Sequence, residues 1–292
     1  MPRADDISLG FAILLGALQG VAEFLPISST GHLALAEHFL GIRKADSFFD
    51  VMLHLGTLAA VVWHYRRSLA GRDEGESDAF PLHDRKRWPW IATLLAVAMT
   101  PAVAAVIAFP KTKPDQVPSA RTKVGDLRAN ASQTPGVVLG FLACTGAVLV
   151  VAGRTKPGPI GPQEFGIRHA LAIGAAQALS ALCPGLSRSG MTISMSLALG
   201  VRPATAVHFS LLLSIPTILA ASVHEARDVS AVWMSHNAGA TLAGAIVAAV
   251  IGWASIGLLA GAVKRGRWGW FAFYLWALAA AGGLWLAVTR SA

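Results

Sequence analysis

The sequence predicts an all-α polytopic membrane protein. About six transmembrane helices are expected, plus two re-entrant helix–loop–helix hairpins in an inverted-topology repeat. Three observations carry that reading. Hydrophobic residues make up 54% of the chain and charged ones only 14%, with a mean hydropathy of +0.55; soluble domains carry about 25% charge. Apolar runs recur along the chain at membrane-spanning length. Two other apolar regions are each interrupted by a short Pro, Gly and Ser motif.

The elements follow in order. Ile7–Leu40 comes first and is broken by "PISSTG". Three runs come next, Phe48–Tyr65, Pro89–Phe109 and Pro135–Ala152. A spanning helix needs about 20 apolar residues, which these runs meet or nearly meet. Arg168–Gly200 is broken by "PGLSRSG", and three final runs cover Ala204–Val223, Gly239–Ala262 and Trp268–Val288. Trp63, Trp88, Trp90, Trp268 and Trp270 stand near run ends, as interfacial aromatics do. In the broken regions each half is too short to cross, so both are expected to enter and leave on one side.

The two broken regions align. "GALQGVAEFLPISS" (16–29) lies over "GAAQALSALCPGLS" (174–187), matching Gly16, Ala17, Gln19, Pro26 and Ser29 to Gly174, Ala175, Gln177, Pro184 and Ser187. The same register lays Phe48–Val62 over Ala206–Ala220. One membrane domain, 1–292, is expected, with repeat 1 over about 7–152, repeat 2 over about 168–288, and polar loops at 66–88 and 110–134. Three intervening spans make the hairpins enter from opposite faces, with a site where they meet.

Charge bounds the partners. The net charge is +8 and the pI about 10.1, with the basic residues in short loops. This pattern suits anionic lipid headgroups and cytoplasmic loops rather than nucleic acid. Loops 66–88, 153–168 and 263–267 with Arg202 carry more Lys and Arg than the opposite side, so they are assigned to the cytoplasm and both termini to the outside. Asp5 and Asp6 precede the first apolar run and no small-residue cleavage pattern follows it, unlike a signal peptide. Cys144 and Cys183 lie in apolar segments and imply no disulfide framework.

The chemistry sits in the breaks. Arg188 falls inside an apolar region, where a charge costs about 2.5–3.5 kcal/mol on insertion scales. Gly185, Ser187, Ser189, Gly190 and Thr192 surround it at the start of a predicted helix. A guanidinium fork, hydroxyls and free N–H groups suit phosphate oxygens. The alternative is a structural pair with Glu23. In the first break Glu23 precedes Pro26, then Ser28, Ser29, Thr30, Gly31 and His32. A carboxylate beside hydroxyls and an imidazole can hold a divalent cation, activate a nucleophile, or both. One hydroxyl of Ser28 and Thr30 is expected to cap the next helix. Asp50 and His54 share a helical face and read either as support for this site or as an interfacial pair. Gln19 and Gln177 are repeat mates suited to bonding between hairpins.

The motifs "LQGVAEFLPISSTGHL" and "PGLSRSGMTIS" closely resemble those of the undecaprenyl-diphosphate phosphatase family, also known for bacitracin resistance. The resemblance runs from about Ile7 to the last span. It implies a bacterial inner-membrane enzyme with an outward-facing site. That enzyme would hydrolyse a C55 polyprenyl diphosphate to the monophosphate carrier of cell-wall synthesis, dependent on Mg²⁺ or Ca²⁺. Carried over, the acidic motif falls on Gln19 and Glu23, the essential serine on Ser29, the histidine on His32 and the arginine on Arg188. Ser28, Thr30, Gly185, Ser187, Ser189, Gly190 and Thr192 fall in the substrate cradle. Many relatives have Glu where this chain has Gln19. A cation would then rest on Glu23, substrate oxygens and water, with Asp50 as a weaker candidate. The segment Lys111–Asn130 is longer and more polar than the family core needs. Ser29, His32 and water all remain open as the nucleophile. A lipid-phosphate transporter is the competing class, since inverted repeats with broken helices also build carriers. Oligomeric state is left open, a homodimer included.

Overall fold

The computed structural model describes residues 7–40, 47–70, 78–109, 130, 134–225 and 231–291. Almost all of the polar loop 110–134, and part of 66–88, lies outside the described residues. The described residues are helical, with no named strand; a lone parallel bridge joins Ile160 to Val201.

Helix α1 (Leu9–Phe24) is capped by Ser8, whose hydroxyl accepts from the Phe11 amide at 3.3 Å. It stops at Leu25, which is extended as a residue before proline tends to be. Helix α2 (Ser29–Phe39) restarts from Ser28, and α3 (Ser47–Leu69) follows. A 3₁₀ turn (Arg85–Arg87) leads into α4 (Trp88–Ala108), and α5 (Pro135–Gly153) begins with Pro at its first position, where no N–H is missed. The second half repeats the order: α6 (Ile167–Leu182), α7 (Arg188–Ala198), α8 (Pro203–Glu225), α9 (Ala231–Lys264) and α10 (Trp270–Ser291).

Among the described residues, six helical segments are long and apolar enough to cross a membrane: Phe48–Leu69, Arg85–Ala108, Pro135–Gly153, Pro203–His224, Asn237–Lys264 and Trp270–Thr289. They match the six expected runs to within a few residues, and the chain is a multi-pass membrane protein. The remaining helices are shorter. At 1.5 Å per residue α1 is about 24 Å long and α2 about 16 Å, against a hydrocarbon core of about 30 Å.

The pairing of helices crosses between the halves. Helix α1 packs chiefly on α9, and α6 packs on α4. Glycine makes both approaches possible. A Cβ on Gly16 would collide with the carbonyl of Gly244 in α9, and one on Gly174 with the carbonyl of Ala98 in α4. The first helix of each half is thus seated on the fourth helix of the other. Helices α5 and α10 pair with one another, and α3 lies against α8 and α9. One large apolar cluster runs through both halves, from Phe24 and Leu142 to Phe209 and Leu275. At the end of α7, Arg202 bonds Asp78 at 2.8 Å, tying the loop before the 3₁₀ turn to the start of α8.

Candidate active site

Glu23 is the hub of the site. It ends α1 with 7% of its surface exposed, a place where a lone carboxylate would be costly. Arg188, the first residue of α7, brings Nη2 to 2.5 Å from Glu23 Oε1. The two charges neutralise each other away from bulk water. Oε2 takes the other bonds. Ser29 Oγ donates to it at 2.7 Å and Gln19 Nε2 at 3.1 Å, while His54 Nε2 lies 3.9 Å away. Gln19 reaches Glu23 because it stands one helical turn earlier on α1.

The two breaks meet face to face. Ser189 Oγ donates to the Leu25 carbonyl at 3.0 Å, across from the first break. A Cβ on Gly31 would stand 3.3 Å from Gly185 Cα, and one on Gly190 would stand 3.4 Å from Pro26 Cβ. A methyl at Gly31 would make the facing loop give by a few tenths of an ångström, while the Gly190 approach is ordinary van der Waals contact. Gly185 itself has φ +107°, a conformation that L side chains rarely adopt.

Ser28 has φ 72°, the one non-glycine positive φ among the described residues. Strain of this kind costs of order 1–3 kcal/mol and gathers at functional sites. Its result here is local. The Ser28 hydroxyl caps α2 by accepting from the Gly31 amide at 3.3 Å, and Ser29 is turned onto Glu23. Ser187 caps α7 in the same way, accepting from the Gly190 amide at 3.1 Å. Of the hydroxyls named in the sequence, then, Ser28 and Ser187 are helix caps, and Ser29 touches the carboxylate. Thr30 is exposed. The Thr192 hydroxyl is occupied with the Arg188 and Ser189 carbonyls and, at 2.7 Å, with Ser210.

His32 lies nearby with both ring nitrogens engaged. Nδ1 is 2.9 Å from the Ser28 carbonyl and Nε2 is 2.8 Å from the Tyr274 hydroxyl. The Asp50–His54 pair divides. His54 turns toward Glu23, and its Nδ1 bonds the Asp50 carbonyl at 2.8 Å. Gln177, mate of Gln19, accepts at 3.3 Å from Thr217 rather than bonding across the hairpins.

Two residues were not foreseen. Tyr274 is one of two tyrosines in the chain and sits four residues into α10, where aromatics are ordinarily read as interfacial anchors. Thr145, buried in mid-span on α5, accepts from the Ser187 amide at 3.1 Å and donates to the Gly185 carbonyl at 3.2 Å, bracing the arginine loop. A buried hydroxyl in an apolar span was its only signal.

Chemically, the arrangement is a hydroxyl bonded to a carboxylate with a guanidinium on the carboxylate's other oxygen. The first pair can deprotonate a nucleophile, and the third member can bind an oxyanion. Among the described residues no group of three or more His, Cys, Asp or Glu is arranged to hold a metal ion alone. One oxygen is suggestive: Gln19 Oε1 is buried without a hydrogen-bond partner, one helical turn from Glu23. The donors at hand, Glu23, Gln19 Oε1 and Ser29, are hard oxygens of the kind Mg²⁺ and Ca²⁺ take.

The family model described as bacitracin resistance protein BacA matches residues 12–281. This chain belongs to the BacA family. It is 35% identical over 281 residues to an undecaprenyl-diphosphatase of Syntrophotalea carbinolica, covering 95% of this chain and 98% of that one. The figure is 37% over 285 residues for an undecaprenyl-diphosphatase of Rubrobacter xylanophilus, covering 92% and 95%. A third BacA relative, an undecaprenyl-diphosphatase of Methanobrevibacter smithii, is 32% identical over 277 residues, with 91% and 93% covered.

Proposed function

We infer that this chain is a membrane phosphatase that hydrolyses undecaprenyl diphosphate to undecaprenyl phosphate and inorganic phosphate. That reaction returns the lipid carrier to cell-wall synthesis. Nearly full-length similarity to proteins named for this activity carries the assignment. The Ser29–Glu23–Arg188 arrangement supports it from the side of chemistry.

The mechanism we propose uses Ser29 as nucleophile. Its contact of 2.7 Å with Glu23 favours the carboxylate as the base, since both nitrogens of His32 are held by Ser28 and Tyr274. As Ser29 Oγ bonds the terminal phosphorus, its proton passes to Glu23 and the bridging P–O bond breaks. Prenyl monophosphate leaves and phosphoserine remains. Water then attacks the phosphoserine, releasing phosphate and restoring Ser29. Arg188 moves from Glu23 to the transferring phosphoryl group, joined by N–H groups around Ser187–Gly190. A Mg²⁺ or Ca²⁺ ion, which Glu23, Gln19 and Ser29 fit, would neutralise charge on the diphosphate.

The architecture we propose is the inverted repeat expected from sequence. Helices α1–α2 and α6–α7 are too short to span, which supports two re-entrant hairpins. The crossed seating of α1 on α9 and α6 on α4 supports a two-fold relation in the membrane plane. The site faces outward from the inner membrane in this reading. A carrier would need recognition without a nucleophile, and Ser29 on Glu23 weighs against one.

The test is phosphate release from farnesyl diphosphate by the purified protein in detergent, with Mg²⁺ present. Arg188→Ala and Ser29→Ala are each expected to lower kcat by about 10²-fold or more. Turnover by Arg188→Ala within threefold of wild type would reject this site.

A further inference from the structure

Tyr274 belongs to two environments at once. Its hydroxyl is 2.8 Å from His32 Nε2, and the two rings stack with centroids 5.7 Å apart at 15°. The Ser28 carbonyl can only accept, so Nδ1 of His32 carries the proton. Nε2 of the neutral ring therefore accepts from the Tyr274 O–H. Yet Tyr274 is 46% exposed, on a spanning helix whose residues are mostly exposed. Its hydroxyl is in the buried polar cluster, while its ring is open on one side.

The surroundings form a seam. Helices α2 and α10 both rest on α5. Leu142 of α5 is the neighbour of Gly31 in α2, and Leu139 is the neighbour of Gly282 in α10. Both leucines are buried beneath this junction. The walls are linked by two ring pairs. His32–Tyr274 closes the inner end; Phe39–Trp285, edge to face at 6.3 Å, lies farther along both helices. Between these levels Leu278 and Ala281 stand on the same helical face of α10 as Tyr274 and Trp285, and Ala281 is exposed.

We propose that the seam between α2 and α10 is the lateral portal through which the prenyl chain of the substrate leaves the site for the bilayer, with Tyr274 as a positioning residue at its inner end. This rests on the phosphatase reading and extends it to the substrate's apolar part. The occupant follows from continuity. The seam begins at the polar cluster, and Leu278, Ala281 and Trp285 continue it along α10 as an apolar face. A diphosphate with a long isoprenoid tail needs that sequence of environments, because its head must be desolvated while its tail never crosses water. The Tyr274 ring offers a flat face to the first isoprene unit and its hydroxyl holds His32 in one tautomer.

A photoreactive farnesyl diphosphate analogue, with a benzophenone at the chain end, tests the portal on the purified full chain. Adducts are expected on peptides of α2 and α10; adducts confined to other helices overturn the proposal. Kinetics give a second reading. In Ala281→Phe the ratio of kcat/KM for farnesyl over dimethylallyl diphosphate is expected to fall about tenfold, since chain contacts are lost. An equal loss on both substrates in a folded variant overturns it. Tyr274→Phe keeps the ring and loses the hydroxyl, so KM for the C15 substrate is expected to stay within about twofold of wild type. Tyr274→Ala is expected to raise KM for the C15 substrate. Seam adducts without any phosphate release would reject the phosphatase reading and keep the portal. Phosphate release with adducts elsewhere would do the opposite.

Discussion

Gln19 shows how one side chain can set the ionic character of a site. Its amide donates to Glu23 while its own oxygen stays buried without a partner. A second carboxylate here would sit one helical turn from the first, and like charges at that spacing need a cation between them. Gln19→Glu is therefore expected to lower the divalent-ion concentration for half-maximal activity by about tenfold. Chelator-buffered assays, with thermal unfolding at each ion concentration, measure this; an unchanged ion requirement would count against a cation at Glu23. Much at this scale was legible. Glu23 and Arg188 stand out because charge in an apolar run demands a partner, and they found each other. The division of labour among Ser28, Ser29 and Thr30 was not legible. It depends on the positive φ of Ser28, which sets the phase of α2 and which composition does not encode. Tyr274 stayed hidden because its position also suits an ordinary membrane anchor.

Among the helices, the breaks are the informative feature. Pro26 and Pro184 each end an apolar helix, and a serine cap starts the next a few residues later. Span boundaries were readable for the same reason, since hydropathy and end-residue chemistry are local. Partner choice was not. Nothing in the pattern of α1 names α9, although glycine at the matched positions 16 and 174 marks two close approaches. Gly16→Leu is expected to destabilise the fold by about 1–3 kcal/mol, because backbone must move to admit it. A Cβ at Gly10 meets nothing within 4 Å, so Gly10→Leu should stay within about 0.5 kcal/mol of wild type. Thermal unfolding in detergent, followed by loss of the monodisperse peak, separates the two. Equal stability would mean that α1 is not held tightly on α9.

For the molecule as a whole, orientation is the property to settle. By the positive-inside rule, the Lys- and Arg-rich loops lead us to expect the α5–α6 connection inside and the start of α1 outside. In a cysteine-free background, Ser8→Cys is expected to react with an impermeant maleimide added to intact cells, and Pro157→Cys only after lysis. Both positions are exposed in the structure. The reverse pattern would turn the site to the cytoplasm. The crossed seating of helices also bears on biogenesis. Helix α1 leaves the ribosome among the first elements, whereas Gly244, on which Gly16 rests, is made more than two hundred residues later. At about 5–20 residues per second that delay is about 10–45 s. Throughout it, a short hydrophobic segment bearing a carboxylate has no permanent neighbour, so insertase or chaperone contacts during synthesis must shelter it until the last third of the chain arrives.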